Sequence, residues 1–323
     1  MAWAGPVELA VAGTDFDDEA ATGRQLAAFD ADAAPAGRAL ADALLGRMMS
    51  IQWFPGHMAT ARREIRSVMP TVNLVLEVLD ARIPFSSENP LVAELRGTRP
   101  CIQVLNKADL ADPEVTAAWL QRIQAVPGLH AFAHHSKQGG LLGRVMGIVK
   151  GLEPPIRARP LVVMILGIPN VGKSTIINAL AGRTLAKASN RPAITQMQQR
   201  INVGLELTLV DTPGFLWPKL TPVACAFRLA VTGAIADRIV DYPELAVFGL
   251  NAMAELYPGR VQAFYELGAL PDDPIAALDA IGRRRGHIVR GGGVDPQRAS
   301  ETFIRDLRAG AFGPISLERP PAS

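Results

Sequence analysis

The sequence predicts an α/β fold, a parallel sheet carrying a phosphate-binding loop, followed by a smaller all-α C-terminal domain. Apolar runs at residues 72–79, 101–105, 161–166 and 205–210 are four to eight residues long, as expected of strands buried on both faces by helices. Stretches with helical spacing fall between them, at 89–96, 113–124 and 141–151. Beyond residue 219 the strand signal stops, and 223–237, 243–250, 260–267 and 296–309 all show helical spacing.

Taken in order, residues 1–47 are rich in Ala, Asp and Gly with weak periodicity and read as a mobile extension. They hold eight acids against three bases, a net −5 in a chain of net +2, which leaves the remainder at +7. A basic body of that size suits a polyanionic partner without proving one. A Met-Met pair at Met48 and Met49 precedes the loop-like cluster Trp53-Phe54-Pro55-Gly56-His57-Met58, and a short amphipathic helix bearing Arg62, Arg63 and Arg66 is expected next. The Pro-rich piece 153–160 cannot be regular structure and reads as a connector within the sheet. The helix at 296–309 is well signed, because Asp295 can cap it, Pro296 suits its first position and Gly310 its end. The expected domains are therefore 48–219, carrying the sheet, and 220–323, which is helical.

Composition excludes several classes. With 323 residues and 49% hydrophobic content the chain can bury a sizeable core. Two cysteines 124 positions apart, Cys101 and Cys225, exclude a disulfide scaffold and a four-cysteine zinc site. The apolar stretch 161–168 is far short of the ~20 residues a membrane-spanning helix needs. The first fifteen residues carry no Lys or Arg, so no secretory or transit signal is expected and the cytoplasm is the expected location.

The strongest chemical signal is Gly167-Ile168-Pro169-Asn170-Val171-Gly172-Lys173-Ser174, a G-x-x-x-x-G-K-S match between a strand and a helix that begins near Thr175. Its glycines let backbone N–H groups close around phosphate oxygens at a helix N-terminus. Lys173 is placed to neutralise β- and γ-phosphates and Ser174 to bind Mg2+. Asp211-Thr212-Pro213-Gly214 ends the run 205–210. Asp211 suits a metal held through water, and the Gly214 amide suits a γ-phosphate sensor. Alone, D-T-P-G could be a β-turn; next to a phosphate loop it reads as a switch.

Asn106-Lys107-Ala108-Asp109 follows the apolar run 101–105. The Asp109 carboxylate can accept two hydrogen bonds from guanine N1–H and its exocyclic amine, whereas adenine offers no such donor pair. The expected nucleotide pair is GTP and GDP.

These pieces resemble the motifs of translation-factor-type GTPases in an altered order. There the phosphate loop comes first and N-K-x-D last; here N-K-A-D precedes the phosphate loop, so the GTPase domain is read as circularly permuted. A site is defined in space, and the same strands joined differently can rebuild it. Together with Trp53-Phe54-Pro55-Gly56-His57-Met58, Asp80-Ala81-Arg82, the continuation of D-T-P-G through Phe215-Leu216-Trp217-Pro218-Lys219, and Gly291-Gly292-Gly293-Val294-Asp295 and Arg305-Asp306-Leu307-Arg308-Ala309-Gly310 in the tail, this order closely resembles the ribosome biogenesis GTPase A family of the YlqF/YawG class, from about residue 49 to 318.

The resemblance implies GTP hydrolysis stimulated by ribosomal particles, late maturation of the large ribosomal subunit, and binding to the precursor and its rRNA in the GTP state with release after hydrolysis. It assigns Thr195 as the switch threonine that closes on Mg2+, although Ala193 stands where the family usually has Gly. It places His135, Ser136 and Lys137 at the guanine loop usually written S-A-K. Ras-like enzymes carry a Gln directly after D-x-x-G, where this chain has Phe215, and a phenyl ring cannot orient water; the resemblance brings His57 to the γ-phosphate instead. Asn170 resembles the asparagine of GTPases that bind K+ beside the phosphates.

In the tail, Arg283, Arg284, Arg285, Arg290, Arg298, Arg305 and Arg308 cluster beside a Gly-rich turn, against an apolar stripe of Ala299, Phe303, Ile304 and Leu307. The stripe reads as core and the arginines as contacts to rRNA phosphates. No aromatic pattern for base-specific reading is present. A monomer with no membrane contact is expected. A nucleotide-regulated RNA scaffold with incidental hydrolysis is the alternative reading, and a GTPase serving RNA modification or another compartment is a further one.

Overall fold

The structure, a computed structural model, describes residues 56–182, 199–217, 220, 222–237 and 240–321. The expected extension over 1–47, Thr195 and the aromatic cluster before Gly56 lie outside the described residues, as does the His57 side chain.

Helix α1 (Gly56–Val68) and a 3-10 turn (Met69–Thr71) lead into β1 (Leu74–Asp80), followed by α2 (Pro84–Ser87), α3 (Pro90–Arg96), β2 (Cys101–Asn106), α4 (Pro113–Gln124), β3 (Leu129–Ala133) and α5 (Leu141–Lys150). After the connector come β4 (Leu161–Leu166), α6 (Lys173–Ala181), β5 (Gln199–Val203) and β6 (Leu207–Asp211). The rest is helical: α7 (Val223–Val231), α8 (Tyr242–Leu256), α9 (Arg260–Tyr265), α10 (Pro274–Arg284) and α11 (Pro296–Arg308).

The six strands lie in the order β3-β2-β1-β4-β6-β5, all parallel except β5, which is antiparallel to β6. Every residue of β1 and of β2 is buried, which explains why their sequences read as unbroken apolar runs rather than alternating ones. Because β1 separates β2 from β4, the loop after β2 and the loop after β4 emerge at the same edge of the sheet, one strand apart. The permuted order is thereby compatible with one site.

Four expected strands are present. Two more, β3 and β5, were not read from the sequence. Both are outermost strands with mixed burial, so their apolar signal is diluted. The run 205–210 loses its first two residues to the β5–β6 turn, where Gly204 takes φ +65° and Leu205 is 95% exposed. The helix expected at 223–237 ends at Val231, because Gly233 adopts φ +84°. Helix α8 runs to Leu256, past the expected 250, and α10 was not anticipated.

Helix α11 forms as signed: the Asp295 side chain accepts from Arg298 N at 3.1 Å, Pro296 opens the helix and Gly310 closes it at φ +76°. Its Ala299, Phe303, Ile304 and Leu307 are fully buried. One apolar core runs from the sheet into the helices, joining Leu166, Ile176, Phe215 and Phe227 to Leu245, Ile281 and Phe303. A smaller cluster of Leu79, Leu105, Ala111, Val115 and Trp119 lies below the N-K-A-D loop.

Candidate nucleotide-binding site

The site gathers at the C-terminal ends of the parallel strands, where doubly wound sheets bind ligands. The phosphate loop leaves β4 with Gly167 at φ +147°, and a Cβ there would sit 2.5 Å from the Val78 carbonyl oxygen on β1. It ends with Gly172 at φ +96°, where a Cβ would collide with the Asn106 side-chain amide. Only glycine fits either place. Between them the non-glycine Asn170 takes φ +59°, as does Lys107 in the other loop, left-handed backbone held where two functional loops turn.

Asn106 ties the loops together, its Nδ2 donating to the Val171 carbonyl at 2.7 Å. Residues 106 and 171 are 65 positions apart in sequence, and this bond brings the N-K-A-D and phosphate loops side by side. Lys107 reaches away from the loop, its Nζ donating to Asp80 Oδ2 at 2.9 Å. The same Asp80 carboxylate accepts from Arg82 Nε at 2.9 Å and Nη2 at 2.8 Å. Burial alone would raise the Asp80 pKa, but Arg82 and then Lys107 outweigh it and hold the carboxyl well below its usual range. Asp109 itself is exposed.

Lys173 opens α6 and is 8% exposed, its Nζ donating to the Ile168 carbonyl at 2.8 Å. Burial lowers its pKa to about 8, with Asp211 pulling the other way. Asp211 is buried at the end of β6, paired in register with Ile165 on β4. Thr212 Oγ1 donates to the Ile165 carbonyl at 2.7 Å, fixing the turn. Gly214 then lies directly on the phosphate loop: a Cβ there would be 2.7 Å from Lys173 Nζ and 2.8 Å from Pro169 Cα. Ser174 and Asp211 offer hard oxygen donors of the kind Mg2+ takes, and among the described residues no cluster of three His, Cys, Asp or Glu offers a complete cage. A metal here would share its coordination with phosphate oxygens and water, which suits Mg2+.

His135, Ser136 and Lys137 follow β3, and the loop is stitched to N-K-A-D through Ala108 N to His134 O (3.0 Å) and His134 N to Leu105 O (2.9 Å). Ser136 and Lys137 are exposed beside it. Sequence reasoning missed His134, whose ring is fully buried with neither nitrogen hydrogen-bonded among the described residues; burial, then His135, lowers its pKa. Asp80-Ala81-Arg82 stood out in the sequence only through the family resemblance, and nothing there showed that Asp80 would join Arg82 to Lys107.

Phe215 is fully buried and belongs to the core, and its carbonyl accepts from Asn89 Nδ2 at 3.0 Å. Asn170 Nδ2 donates to the Gly233 carbonyl at 2.7 Å, linking the phosphate loop to the turn after α7.

The chain is similar to known proteins. The chain is 43% identical to ribosome biogenesis GTPase A of Bacillus pumilus over 281 residues, covering 84% of this chain and 99% of that protein. The chain belongs to the ribosome biogenesis GTPase A family. Mitochondrial ribosome-associated GTPase 1 of Mus musculus is similar too, at 33% identity over 296 residues, 83% of this chain and 90% of that protein. Residues 162–241 match the family model described as 50S ribosome-binding GTPase. The crystal structure of GNP-bound YlqF from T. maritima superposes with a TM-score of 0.59 at 25% identity, over 81% of this chain and 98% of that one. As a member of this family the chain is a circularly permuted GTPase with a role in ribosome assembly, and GTPases of the family generally use Mg2+.

Six of the seven tail arginines are exposed and Arg308 is half-buried. Arg298 stands beside Asp295 at 3.7 Å, and the others apart from Arg290 are partnered within the molecule too. Arg283 binds Asp279 at 2.7 Å; Arg284 binds Glu266; Arg285 reaches Asp306 at 3.4 Å and stacks on Tyr265; Arg305 reaches Thr302 at 3.3 Å. Arg308 donates to the Ala230 and Val231 carbonyls at 2.8 and 2.9 Å, closing the C-terminus of α7. No helix among the described residues is long and apolar enough to cross a membrane.

Proposed function

We propose that this GTPase is a GTP-gated assembly factor for late maturation of the large ribosomal subunit. It binds the pre-subunit and its rRNA in the GTP state and leaves after hydrolysis, which the particle stimulates. One observation carries the gating. Gly214 lies on the phosphate loop, and within three residues the chain reaches Trp217, buried in the core shared with the helices. A γ-phosphate that moves residue 214 pulls on that core, the kind of segment ordering by which GTPase switches act.

The site roles follow the same reading. Asp109 takes the guanine, with Asn106 and Lys107 holding its loop and His135, Ser136 and Lys137 closing the far side of the base. Val171, Gly172, Lys173 and Thr175 line the phosphates, and Ser174, Thr195 and Asp211 hold Mg2+. Asn170, whose Nδ2 donates to the Gly233 carbonyl, is the ligand proposed for K+ through its Oδ1. The metal lowers the charge of the phosphates when bound; the chain's own residues bind and orient the nucleotide and bury it from water. Arg290 and Arg298, with Arg283, Arg284, Arg285, Arg305 and Arg308 around them, make the rRNA-facing side, in a cytoplasmic monomer whose helical unit begins near residue 220.

Phe215 is spent on the core, so the attacking water needs another polar group, and His57 at the first turn of α1 is the proposed one. Replacing His57 with Ala should lower particle-stimulated turnover by about 10²-fold with GTP affinity nearly unchanged. The buried Phe215 also favours a second reading, an RNA scaffold with incidental hydrolysis. Single-turnover GTP hydrolysis with and without large subunits, run beside pelleting with mature and immature subunits in GTP and GDP, separates the two. Equal pelleting in both nucleotides would sink the gating.

A further inference from the structure

The chain does not end in the helical region. After α11 it turns at Gly310, close enough that a Cβ there would lie 2.8 Å from Leu110 Cδ2, and residues 315–318 return across the sheet edge that holds the base-selecting loop. All four of these residues are buried.

Their bonds fall on both flanks of N-K-A-D. On the downstream side, Ile315 N donates to the carbonyl of Leu110, the residue after Asp109, at 2.9 Å. Ser316 Oγ accepts from Asp112 N at 3.2 Å. Ser316 N donates to the Tyr257 hydroxyl at 2.8 Å, and that hydroxyl donates to Asp112 Oδ2 at 3.0 Å. On the upstream side, Leu317 N donates to the Arg82 carbonyl at 2.9 Å.

Glu318 anchors the end. Its carboxylate accepts from Ser86 N at 3.0 Å and from Ser86 Oγ at 2.5 Å, with Arg228 Nη1 at 3.5 Å, and its carbonyl accepts from Trp119 Nε1 at 3.3 Å. The neighbouring Ser87 Oγ accepts from Asp80 N at 3.0 Å. Asp80 in turn holds Lys107, the lysine of N-K-A-D. A buried acid carrying this many bonds is costly to place unless every bond is kept, so the strap is held in one geometry.

We infer that residues 315–318 are a positioning element for guanine selection, with Glu318 as its anchor, so that the C-terminal strap sets how firmly Asp109 grips the base. The inference rests on the reading of Asp109 as the base-selecting acid. IDP is the diagnostic ligand, because inosine lacks the exocyclic amine and so forgoes one of the two bonds to that carboxylate. A strap that only stabilised the fold would weaken GDP and IDP alike; one that positions Asp109 matters more for GDP.

The experiment measures Kd for GDP and IDP in the full chain, with thermal unfolding alongside. In Glu318→Ala, GDP should bind about tenfold more weakly and the IDP-to-GDP ratio of Kd should fall about fivefold, while Glu318→Gln, which keeps one acceptor for Ser86 N and can donate from its amide to Ser86 Oγ, restores most of the ratio. If Glu318→Ala does not fold, Ser316→Ala, which removes only the acceptor for Asp112 N, should lower the ratio about twofold. A folded strap variant with the parent's ratio would overturn the inference. Asp109→Ala separates the two layers: selectivity lost there but kept in the strap variants overturns the strap's role alone, whereas selectivity kept in Asp109→Ala overturns the base-recognition reading and the strap's role together.

Discussion

Lys173 has exchanged water for one backbone carbonyl, and that exchange leaves a titration in the functional range. With its pKa lowered to about 8 by burial, the ammonium loses its proton above that pH when no phosphate is present. Bound phosphates favour the charged form and raise the pKa again. Nucleotide binding therefore takes up a proton, and GDP affinity should be flat from pH 7 to 8 and then fall by up to about tenfold per pH unit. Isothermal titration across that range checks it, and a flat profile to pH 9.5 contradicts it.

Glu77, on the central strand, carries the opposite kind of shift. Burial and then the Glu88 carboxylate raise its pKa to about 8, while Gln103 Nε2 donates to it at 3.0 Å. A carboxyl whose pKa is raised on folding contributes fully only below its unfolded value, and that contribution fades as pH climbs from about 4.5 to 8. Glu77→Gln should thus nearly match the parent's unfolding midpoint near pH 5 and exceed it by up to about 10 °C at pH 8.5. A midpoint difference that does not grow with pH would contradict this. Neither shift was legible beforehand: the phosphate-loop pattern marks Lys173 without showing its burial, and Glu77 sits inside an apolar run that gives no sign of which neighbours it will meet.

Five of the helices share a starting device. Helices α3, α4, α8, α10 and α11 each open on an Asn or Asp whose side chain accepts from the first turn, with Pro just inside. This pairing suits an N-terminus because the proline lacks an N–H that would otherwise need a partner. It was read at Asp295 and overlooked at Asp273, where the short apolar stripe of α10 gave less support. The buried parallel strands were legible because both faces are covered. Strands β3 and β5 were not, because each has one neighbour and mixed exposure. The switch element can be tested by itself: a methyl at residue 214 meets Lys173 and Pro169 at under 3 Å. Gly214→Ala should weaken GTP binding by about tenfold, with little change in unfolding midpoint. Parent-like GTP affinity would show that residue 214 does not bear on the phosphate loop.

Across the whole molecule, the order of the motifs along the chain matters less than the order of strands in the sheet. N-K-A-D, the phosphate loop and D-T-P-G were each visible as short strings, and their convergence follows once β1 lies between β2 and β4. The links that tie the site to the helices were invisible to sequence reasoning: Asn170 to Gly233, Arg308 to the end of α7, and residues 315–318 to the N-K-A-D loop. All three join residues more than sixty positions apart through backbone carbonyls, which no side-chain pattern encodes.

The central claim is that segments 106–109, 167–174 and 211–214 enclose one guanine nucleotide. Exchanging Asp109 for Asn tests it most directly, because xanthine carries a carbonyl where guanine has its amine and an amide can donate to it. Competition binding of GTP and XTP should show the parent preferring GTP and Asp109→Asn preferring XTP, each by at least about tenfold. Asp109→Asn binding GTP as the parent does, with XTP excluded, would contradict the account.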